Sequence, residues 1–283
     1  MTLTWPVVAA VLFGALLHAG WNALVKSSSD KSLDTAVILL LGSVVALPLG
    51  LVAGWPPAAA WPFILASVVI HVGYYTALSG AYRHGELGLT YPLMRGTAPL
   101  LVALSAALAL GEALSPLSWT GVLCVSCGVL ALGLSRHALG SPRAVGFALA
   151  NAVVIAMYTV VDALGARASG NALQYVLALF VLDGLPFTLM VLARRGGTTL
   201  WPYVRRRWPL AALGAMASLG SYGIALWAMT RAPVATVAAL RETSVLFAVL
   251  LGAWFLKEAF TWRRAAGTAA IVAGVMALRL GSP

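Results

Sequence analysis

The sequence predicts an all-α polytopic membrane protein of ten transmembrane helices, arranged as two inverted five-helix repeats. Three observations support this fold class. Apolar residues make up 61% of the 283 residues and charged residues only 9%, whereas roughly 25% of the residues in soluble domains are charged. Apolar runs of about 20 residues, the length of a membrane-spanning helix, recur along the whole chain. The two halves of the chain also repeat each other in sequence.

Short loops that contain Gly, Pro and Ser separate the predicted spans. The first span is not preceded by the basic segment of a cleaved signal, so we expect it to be a permanent helix. No soluble domain is predicted. The ten predicted spans are residues 5–25, 35–54, 61–82, 88–110, 116–134, 144–165, 172–193, 208–229, 234–256 and 262–280.

A shift of 146 residues superimposes the two halves and places Arg95 on Arg241. Each half holds five spans, an odd number, so the two copies must lie antiparallel in the bilayer. Secondary transporters use this design and bind substrate between the repeats near the midplane. We therefore divide the chain into a first repeat, residues 1–138, and a second, inverted repeat, residues 139–283. Other matched pairs are Thr90 with Thr236, Glu112 with Glu258, Gly121 with Gly267, and Gly128 with Gly274.

Basic residues are distributed unevenly between the loops on the two sides of the predicted bundle. Thirteen Lys and Arg residues follow odd-numbered spans, and only Arg167, Arg231 and Arg279 lie on the other side. Because positive loops stay in the cytoplasm, both termini are predicted outside a bacterial-type cytoplasmic (inner) membrane. The same bias explains the net charge of +10, and no basic module outside the spans indicates nucleic-acid binding. The segment Arg205 to Pro209 is predicted to be a loop held at the anionic leaflet.

Two arginines lie inside predicted spans, where a charge is costly and usually functional. Arg95 is eight residues into span 4, or ~12 Å deep, and Arg241 is about as deep in span 9 from the opposite face. A guanidinium fork suits a carboxylate or a phosphonate. The alternative is a structural ion pair with an intramembrane acid, for which Glu242, Asp162 and Asp183 are candidates.

Aromatic and polar side chains are predicted to line a cavity beside these arginines. In span 3, His71, Tyr74 and Tyr75 recur at i, i+3 and i+4, which places them on one helix face. Such a face can bind an aromatic or cationic ligand, and the alternative is ordinary helix packing. The candidate substrate-binding residues are Arg95, Arg241, Trp21, His71, Tyr75, Tyr74, His18, Asn22, Tyr158 and Tyr222.

The remaining motifs predict structure rather than chemistry. His18 and His71 have no third ligand at metal-binding spacing, and no phosphate-binding loop is present, so no metal or cofactor is predicted. Only eight acidic residues occur, and none form a cluster of catalytic spacing, which argues against a membrane enzyme. The repeat maps Cys124 and Cys127 onto alanines, so we interpret them as small packing residues. Glu112 is expected to order a loop or cap a helix, and a monomer is favoured over a dimer.

Two segments, LGEALSPLSWTGVLCVSCGVLAL and LKEAFTWRRAAGTAAIVAGVMAL, each contain a Glu followed by a helix with two glycines. A ten-span chain with two such units resembles the EamA-type carriers of the drug/metabolite transporter superfamily, and the resemblance covers essentially the whole chain. It implies a carrier of small organic metabolites, similar to the YddG-type amino-acid exporters. The resemblance also implies termini inside, opposite to the charge-based prediction.

The segments HAGWN, TYPLMRGTAP and ALRETSVLF resemble a subgroup associated with phosphonate-utilisation genes. Four-span members of the superfamily exchange protons on a first-helix Glu, for which span 1 offers only His18 and Asn22, so proton antiport is not implied.

Together these features predict a secondary transporter, and by resemblance an exporter, that works by alternating access around a central cavity. The substrates predicted are small organic metabolites, and among these first amino acids, including aromatic ones. The alternatives are phosphonate-type or other small anions, and organic cations or drugs. The sequence also leaves open a receptor subunit without transport and a pore, which saturable flux would exclude.

Overall fold

The computed structural model describes residues 2–84, 87–133, 141–256 and 261–282, and the secondary-structure elements in these parts of the chain are all helices. The long apolar runs of the sequence form the helices, and polar caps such as Asp30, Ser141 and Asn171 begin several of them. The helices are α1 (Trp5–Lys26), α2 (Lys31–Ala53), α3 (Trp61–His84), α4 (Leu87–Leu110), α5 (Pro116–Gly133), α6 (Pro142–Ser169), α7 (Ala172–Arg195), α8 (Gly197–Met229), α9 (Val234–Arg241), α10 (Thr243–Leu256) and α11 (Trp262–Gly281), with a 3-10 turn at Ala58–Ala60 before α3.

Eight of the described helices are long and apolar enough to cross a membrane, namely α1 to α4, α6 to α8 and α11. The helix α5 has a shorter apolar stretch, Pro116–Leu132. Many large apolar side chains face outward from these helices, including Val52 at 89% exposure and Leu108 at 89%. A surface of this kind is compatible with lipid rather than water, and the chain is a multi-pass membrane protein.

The structure corrects two of the predicted element boundaries. The predicted span 234–256 is divided at Glu242, where α9 ends and α10 begins. The segment Arg205 to Pro209, predicted to be a loop, lies inside α8, which begins at Gly197 rather than at residue 208. Pro202 and Pro209 are both accommodated in this helix. Its first turns are held by contacts with α2, which sequence periodicity does not reveal.

Helices α5 and α11 pack backbone against backbone through four glycines. A Cβ atom on Gly121 would lie 2.9 Å from the carbonyl oxygen of Gly274, and one on Gly128 would lie 2.8 Å from that of Gly267. The glycines that the repeat matches therefore pack against each other within one chain. Cys124 is half-buried and Cys127 exposed on α5, and both are free thiols.

One end of the bundle, which we call the termini end, is closed by an ion pair between the α4–α5 loop and the last turn of α6. Glu112, after α4, accepts a hydrogen bond from Arg167 at 2.6 Å and another from the backbone N–H of Val234 at 2.8 Å. Arg167 also donates to the carbonyl oxygen of Met229 at 3.0 Å. Glu112 thus satisfies the first N–H of α9, in line with the expected capping role, whereas its repeat partner Glu258 lies outside the described residues.

The opposite end is held by contacts between the α1–α2 loop and the α7–α8 junction. Arg195 lies 3.4 Å from the carboxylate of Asp30, and Arg207 lies 3.3 Å from that of Asp34. Tyr203 donates to the same Asp34 carboxylate at 3.1 Å. These bonds explain why the start of α8 is helical although its sequence contains two prolines and three consecutive arginines.

Candidate functional site

The two intramembrane arginines meet in the middle of the described bundle, where α4 contacts α9. Arg95 Nε lies 2.9 Å from Glu242 Oε2, and both side chains are buried, at 9% and 5% exposure. Of the three acids predicted as partners for the arginines, Glu242 is therefore the one that pairs with Arg95. Arg95 Nε and Nη2 are both buried and neither makes a hydrogen bond within the described residues, so the contact of Nε with Glu242 is an ion pair and Nη2 has no partner of its own there.

Glu242 reaches Arg95 because the chain turns between α9 and α10. Its N–H bonds to the carbonyl oxygen of Ala239 at 3.1 Å, an i to i−3 bond that tightens the last turn of α9. The N–H of Val245 then bonds to the carbonyl of Glu242 at 3.0 Å. Thr243 donates its hydroxyl to the carbonyl oxygen of Leu240 at 2.7 Å, which satisfies a backbone group that the turn leaves free.

Arg241 has a different environment from Arg95. Its guanidinium carbon lies 5.1 Å from the centre of the Tyr222 ring, a cation–π distance, and the residue is half-buried. No carboxylate of the described residues lies within ion-pair distance of it. Arg241 is therefore a partly accessible cation whose charge is held by an aromatic face.

A small void separates the two guanidinium groups. Arg95, Arg241 and Glu242 line it together with Tyr158 and Thr159. Its volume is about 10 Å³, roughly the space that one water molecule needs. In this conformation the helices close around the arginines, and a ligand larger than water requires them to separate.

Asp162, the second predicted partner acid, is held by tyrosines instead of an arginine. It is fully buried and accepts hydrogen bonds from the Tyr175 hydroxyl at 2.8 Å and from the Tyr222 hydroxyl. The ring of Tyr222 thus lies between Arg241 and Asp162, with its hydroxyl on the acid and its face on the cation. Charge-assisted hydrogen bonds of this kind stabilise a buried carboxylate.

The third acid, Asp183, lies 3.2 Å from His71 Nδ1, and both side chains are largely buried. The His71 ring packs 4.6 Å from the ring of Tyr158, which itself lines the void between the arginines. His71 is thus linked by one aromatic contact to the arginine cluster.

The predicted aromatic face of α3 continues from this point. Tyr74 lies 6.0 Å from Tyr158 and 5.2 Å from Tyr75, measured between ring centres. Tyr75 packs 4.6 Å from Phe187 of α7. Together these rings form a wall that leads away from the arginines, with Tyr158 buried and the other three half-buried. We call it the aromatic wall (Tyr74, Tyr75, Tyr158 and Phe187).

The α1 candidates lie on the other side of the cluster. His18 is within electrostatic reach of Arg95 and Arg241, so it faces the same central region. Trp21 donates to His18 Nδ1 at 3.3 Å, and Asn22 donates to the His18 carbonyl oxygen at 2.8 Å. In the part of the chain that is described, the hydrogen bonds of Trp21 and Asn22 stay within α1.

Two residues of this region were not predicted from the sequence. Phe187 follows Asp183 by four residues, which places both on one helix face, and this spacing could have identified it. Tyr175 is the fully buried donor to Asp162, but it lies among aliphatic residues of α7 and no pattern distinguishes it. Among the described residues, no group of three or more His, Cys, Asp or Glu side chains could hold a metal ion.

Comparison with known proteins gives a family match and matches to solved structures. Residues 142–280, the second half of the chain, match the EamA-like transporter family. A solved crystal structure of a protein that is 21% identical aligns with 98% of this chain and 98% of its own, with a TM-score of 0.75. This likeness shows a shared fold. No curated protein matches the chain.

Proposed function

We propose that the chain is a secondary transporter of the EamA-like type that moves small organic metabolites across a membrane. The family match over residues 142–280 supports a transporter. The substrate class that fits the central residues best is amino acids, including aromatic ones, and export is the direction that the resemblance implies. The observation that carries the proposal is the guanidinium of Arg241, which has no acidic partner among the described residues, beside the paired Arg95 at the centre of a helix bundle.

An inverted repeat is part of this proposal, with α1–α5 in residues 1–138 and α6–α11 in residues 139–283. The helix contacts support it. In the proposed repeat, α1 corresponds to α6 and α3 corresponds to α8. The contact between α3 and α6 therefore has a counterpart between α8 and α1, and both contacts are extensive. The pairs α2–α7 and α5–α11 map onto themselves, and both are also in extensive contact. A pseudo-twofold axis between two antiparallel copies would produce this pattern, and the proposal keeps the count of ten spans, five in each copy.

The substrate carboxylate would bind between the two guanidinium groups. Arg241 has no acidic partner among the described residues, and Arg95 has an unused buried donor, so together they can form a bidentate contact. A cation near the midplane is costly unless a partner or substrate compensates it. An aromatic or aliphatic body would then extend toward the aromatic wall, where stacking is available.

The remaining candidate residues would surround this ligand. Tyr158 is the residue of the aromatic wall that lies beside the arginines, and His71 packs against it. Tyr222 would position Arg241. His18 lies across the void, and Trp21 and Asn22 would line the path from the opposite end of the bundle. All ten candidate substrate-binding residues are kept in the proposal on this arrangement.

Transport would proceed by alternating access. The void of about 10 Å³ is far smaller than the few hundred Å³ of a small-molecule pocket, so the described conformation corresponds to a closed site. The bond network of Glu112 with Arg167 and Val234 closes the termini end. Rocking of one repeat against the other would break this network and open the site to that side.

We also propose that the chain acts as a monomer in a bacterial-type cytoplasmic membrane with both termini outside. A thiol-specific, membrane-impermeant label tests this orientation on intact cells. A cysteine introduced at Arg206, which is exposed near the start of α8, should not be labelled. Labelling from outside would show that the proposed orientation is wrong and that the termini lie inside.

The function is tested with purified protein in two assays, thermal unfolding and flux into vesicles. The ligand panel contains L-phenylalanine, L-leucine, their amides, an aminophosphonate and an organic cation. A ligand that binds the folded state raises its melting temperature. We expect the free amino acids to raise it, their amides not to, and flux of the stabilising compounds to saturate.

Arg241→Ala and Arg231→Ala provide a matched pair of variants. Arg231 lies 5.0 Å from the Trp227 ring, the same contact that Arg241 makes with Tyr222, but at the termini end of the bundle. Arg241→Ala should abolish the response to amino acids, and Arg231→Ala should retain it. Equal loss in both variants, or stabilisation by the amides as well as the acids, would contradict a carboxylate site at Arg241.

A further inference from the structure

Three acids lie within the helix bundle, and they differ in what neutralises them. Glu242 is paired with Arg95, a cation that keeps its charge at every physiological pH. Asp162 accepts hydrogen bonds from two tyrosine hydroxyls. Asp183 lies 3.2 Å from His71 Nδ1, and no other cation of the described residues is within ion-pair distance of it. Asp183 is therefore the acid whose positive partner can disappear, because histidine gains and loses its charge between about pH 5 and 8.

The contact between His71 and Asp183 is a loose one. The two side chains are 12% and 15% exposed. Their facing atoms, His71 Nδ1 and Asp183 Oδ1, are buried and make no hydrogen bond within the described residues. Because buried polar atoms are normally hydrogen-bonded, this pair has donor and acceptor capacity that a ligand can use.

The surroundings of His71 are acidic and aromatic. Helix α3 packs against α4, α6, α7 and the 3-10 turn, which contains only alanines. Arg95, the cation of α4, adjoins Tyr158 and is held by Glu242. An imidazolium at position 71 thus has two carboxylates to compensate it. The titratable groups that reach the ring of His71 are Asp162 and Tyr158 of α6, Asp183 of α7, and Tyr74 of α3 itself.

This pair lies between the arginines and the aromatic wall. His71 packs 4.6 Å from the ring of Tyr158, which lines the void together with Arg241. Asp183 precedes Phe187 of the wall by one helical turn. In an α-amino acid, one carbon atom carries the carboxylate, the ammonium group and the side chain. A ligand with its carboxylate on Arg241 and its body on the wall can therefore present its ammonium group to Asp183.

We propose that the substrate ammonium group and a proton on His71 compete for Asp183, so that the carrier exchanges an amino acid for a proton. This inference rests on the proposed function, because it assumes an amino acid whose carboxylate binds the arginines. In the empty site, protonated His71 is the positive partner of Asp183. In the loaded site, the ammonium group takes that place.

The exchange is a single proton transfer to water. As the substrate binds, the N–H bond at His71 Nδ1 breaks, the electron pair stays on Nδ1, and the proton passes to water on the side to which the site is open. Release of the substrate on the other side reverses this step, and His71 takes up a proton there. An inward proton gradient could then drive export.

The test counts the protons released when purified wild-type protein binds L-phenylalanine. Calorimetry in two buffers with different heats of ionisation measures this number. The matched ligand is phenylpropionate, which has the same ring and carboxylate but no ammonium group. At about pH 6 we expect L-phenylalanine to release about half a proton or more and phenylpropionate to release none. At about pH 8 the release should approach zero, and L-phenylalanine should bind about threefold or more tighter than at about pH 6, because the competing proton is absent.

Two variants assign the exchange to this pair. His71→Gln should bind L-phenylalanine without releasing a proton, whereas His84→Gln should release it as the wild type does. His84 is a suitable control because it lies on the same helix, is exposed, and stacks on Phe147. Asp183→Asn should lower the preference for L-phenylalanine over phenylpropionate by about tenfold or more.

Each outcome decides a separate point. If both ligands bind and neither releases a proton, or if both release one, the exchange at Asp183 is refuted and the proposed carrier function stands. If neither ligand binds, the carboxylate site is refuted and the exchange with it. Equal release by wild type and His71→Gln would refute the role of His71. The comparison of ligands uses the wild type alone, so the inference can be rejected even if a variant does not fold.

Discussion

Arg95 and Arg241 occupy matched positions of the two halves of the chain, but the structure places them in different chemical environments. Arg95 is buried and pairs with Glu242, whereas Arg241 is half-buried over the ring of Tyr222. One position explains the difference. Gly96 follows Arg95 and Glu242 follows Arg241, so the acid that one half lacks is supplied by the other. A repeated motif can thus provide one structural arginine and one arginine that is free for a ligand.

The largest effect expected from this comparison is on stability. Arg95→Ala leaves the Glu242 carboxylate buried without its cation, and breaking a buried pair typically costs about 3–5 kcal/mol. Arg241→Ala removes only a cation–π contact, worth about 0.5–2 kcal/mol. Thermal unfolding of the purified variants should therefore show a much larger decrease in melting temperature for Arg95→Ala.

Arg231→Ala serves as the control for this pair, because Arg231 makes a cation–π contact of nearly the same distance. The melting temperature of Arg231→Ala should be close to that of Arg241→Ala. If Arg95→Ala and Arg241→Ala melt at the same temperature, the two arginines are equivalent and the division into a structural and a free arginine is incorrect.

The second prediction asks what holds Arg241 in place. Tyr222→Phe keeps the ring beneath Arg241 but removes the hydroxyl that donates to buried Asp162. Losing a hydrogen bond to a charged group costs about 1.5–3 kcal/mol, so the melting temperature should fall, while L-phenylalanine binding should be preserved. Tyr222→Leu should lower both, since it removes the ring as well. Loss of binding in Tyr222→Phe would mean that the hydroxyl, rather than the ring, positions Arg241.

The comparison also shows which features the sequence can predict. The depth of both arginines follows from apolar length and from counting residues along each span, and Glu242 was among the predicted partner acids. The division of the ninth span could not be predicted, because neither Gly nor Pro occurs near Glu242 and the break is a single tightened turn with an i to i−3 hydrogen bond. The helical start of α8 was also missed, because two prolines and three arginines indicate a loop, whereas contacts with Asp34 hold it helical.

The third prediction concerns Gly96, which occupies in the first half the position that Glu242 occupies in the second. Gly96→Ala places a Cβ 2.6 Å from Leu130 Cγ and 3.2 Å from a backbone oxygen, and such overpacking typically costs about 1–3 kcal/mol. Gly73→Ala in α3 is the matched control, because no atom lies within 4 Å of its added Cβ. The control should be neutral or up to about 1 kcal/mol more stable, as expected for alanine in a helix. Equal melting temperatures for the two variants would mean that steric crowding does not explain why the residue after Arg95 is a glycine.

The smallest expected effect comes from an exposed ion pair, which tests whether burial gives the Arg95–Glu242 pair its importance. Asp30 lies 3.4 Å from Arg195, whose side chain is 53% exposed, and such pairs contribute about 0–1 kcal/mol. Desolvation alone would raise the pKa of Asp30, but hydrogen bonds from Ser32 and Leu33 and the charge of Arg195 outweigh it and lower that pKa.

Because the pKa of Asp30 is lower in the folded state than in the unfolded chain, its contribution is complete above the unfolded value, about 3.9. It is lost as the pH falls below that value and through the folded pKa. Asp30→Asn retains an N-cap acceptor and should therefore melt slightly below wild type at neutral pH, with the difference disappearing in acid. Melting temperatures of both proteins, measured from neutral to acidic pH, test this prediction. A large difference that does not change with pH would mean that the charge of Asp30 is not what stabilises the loop.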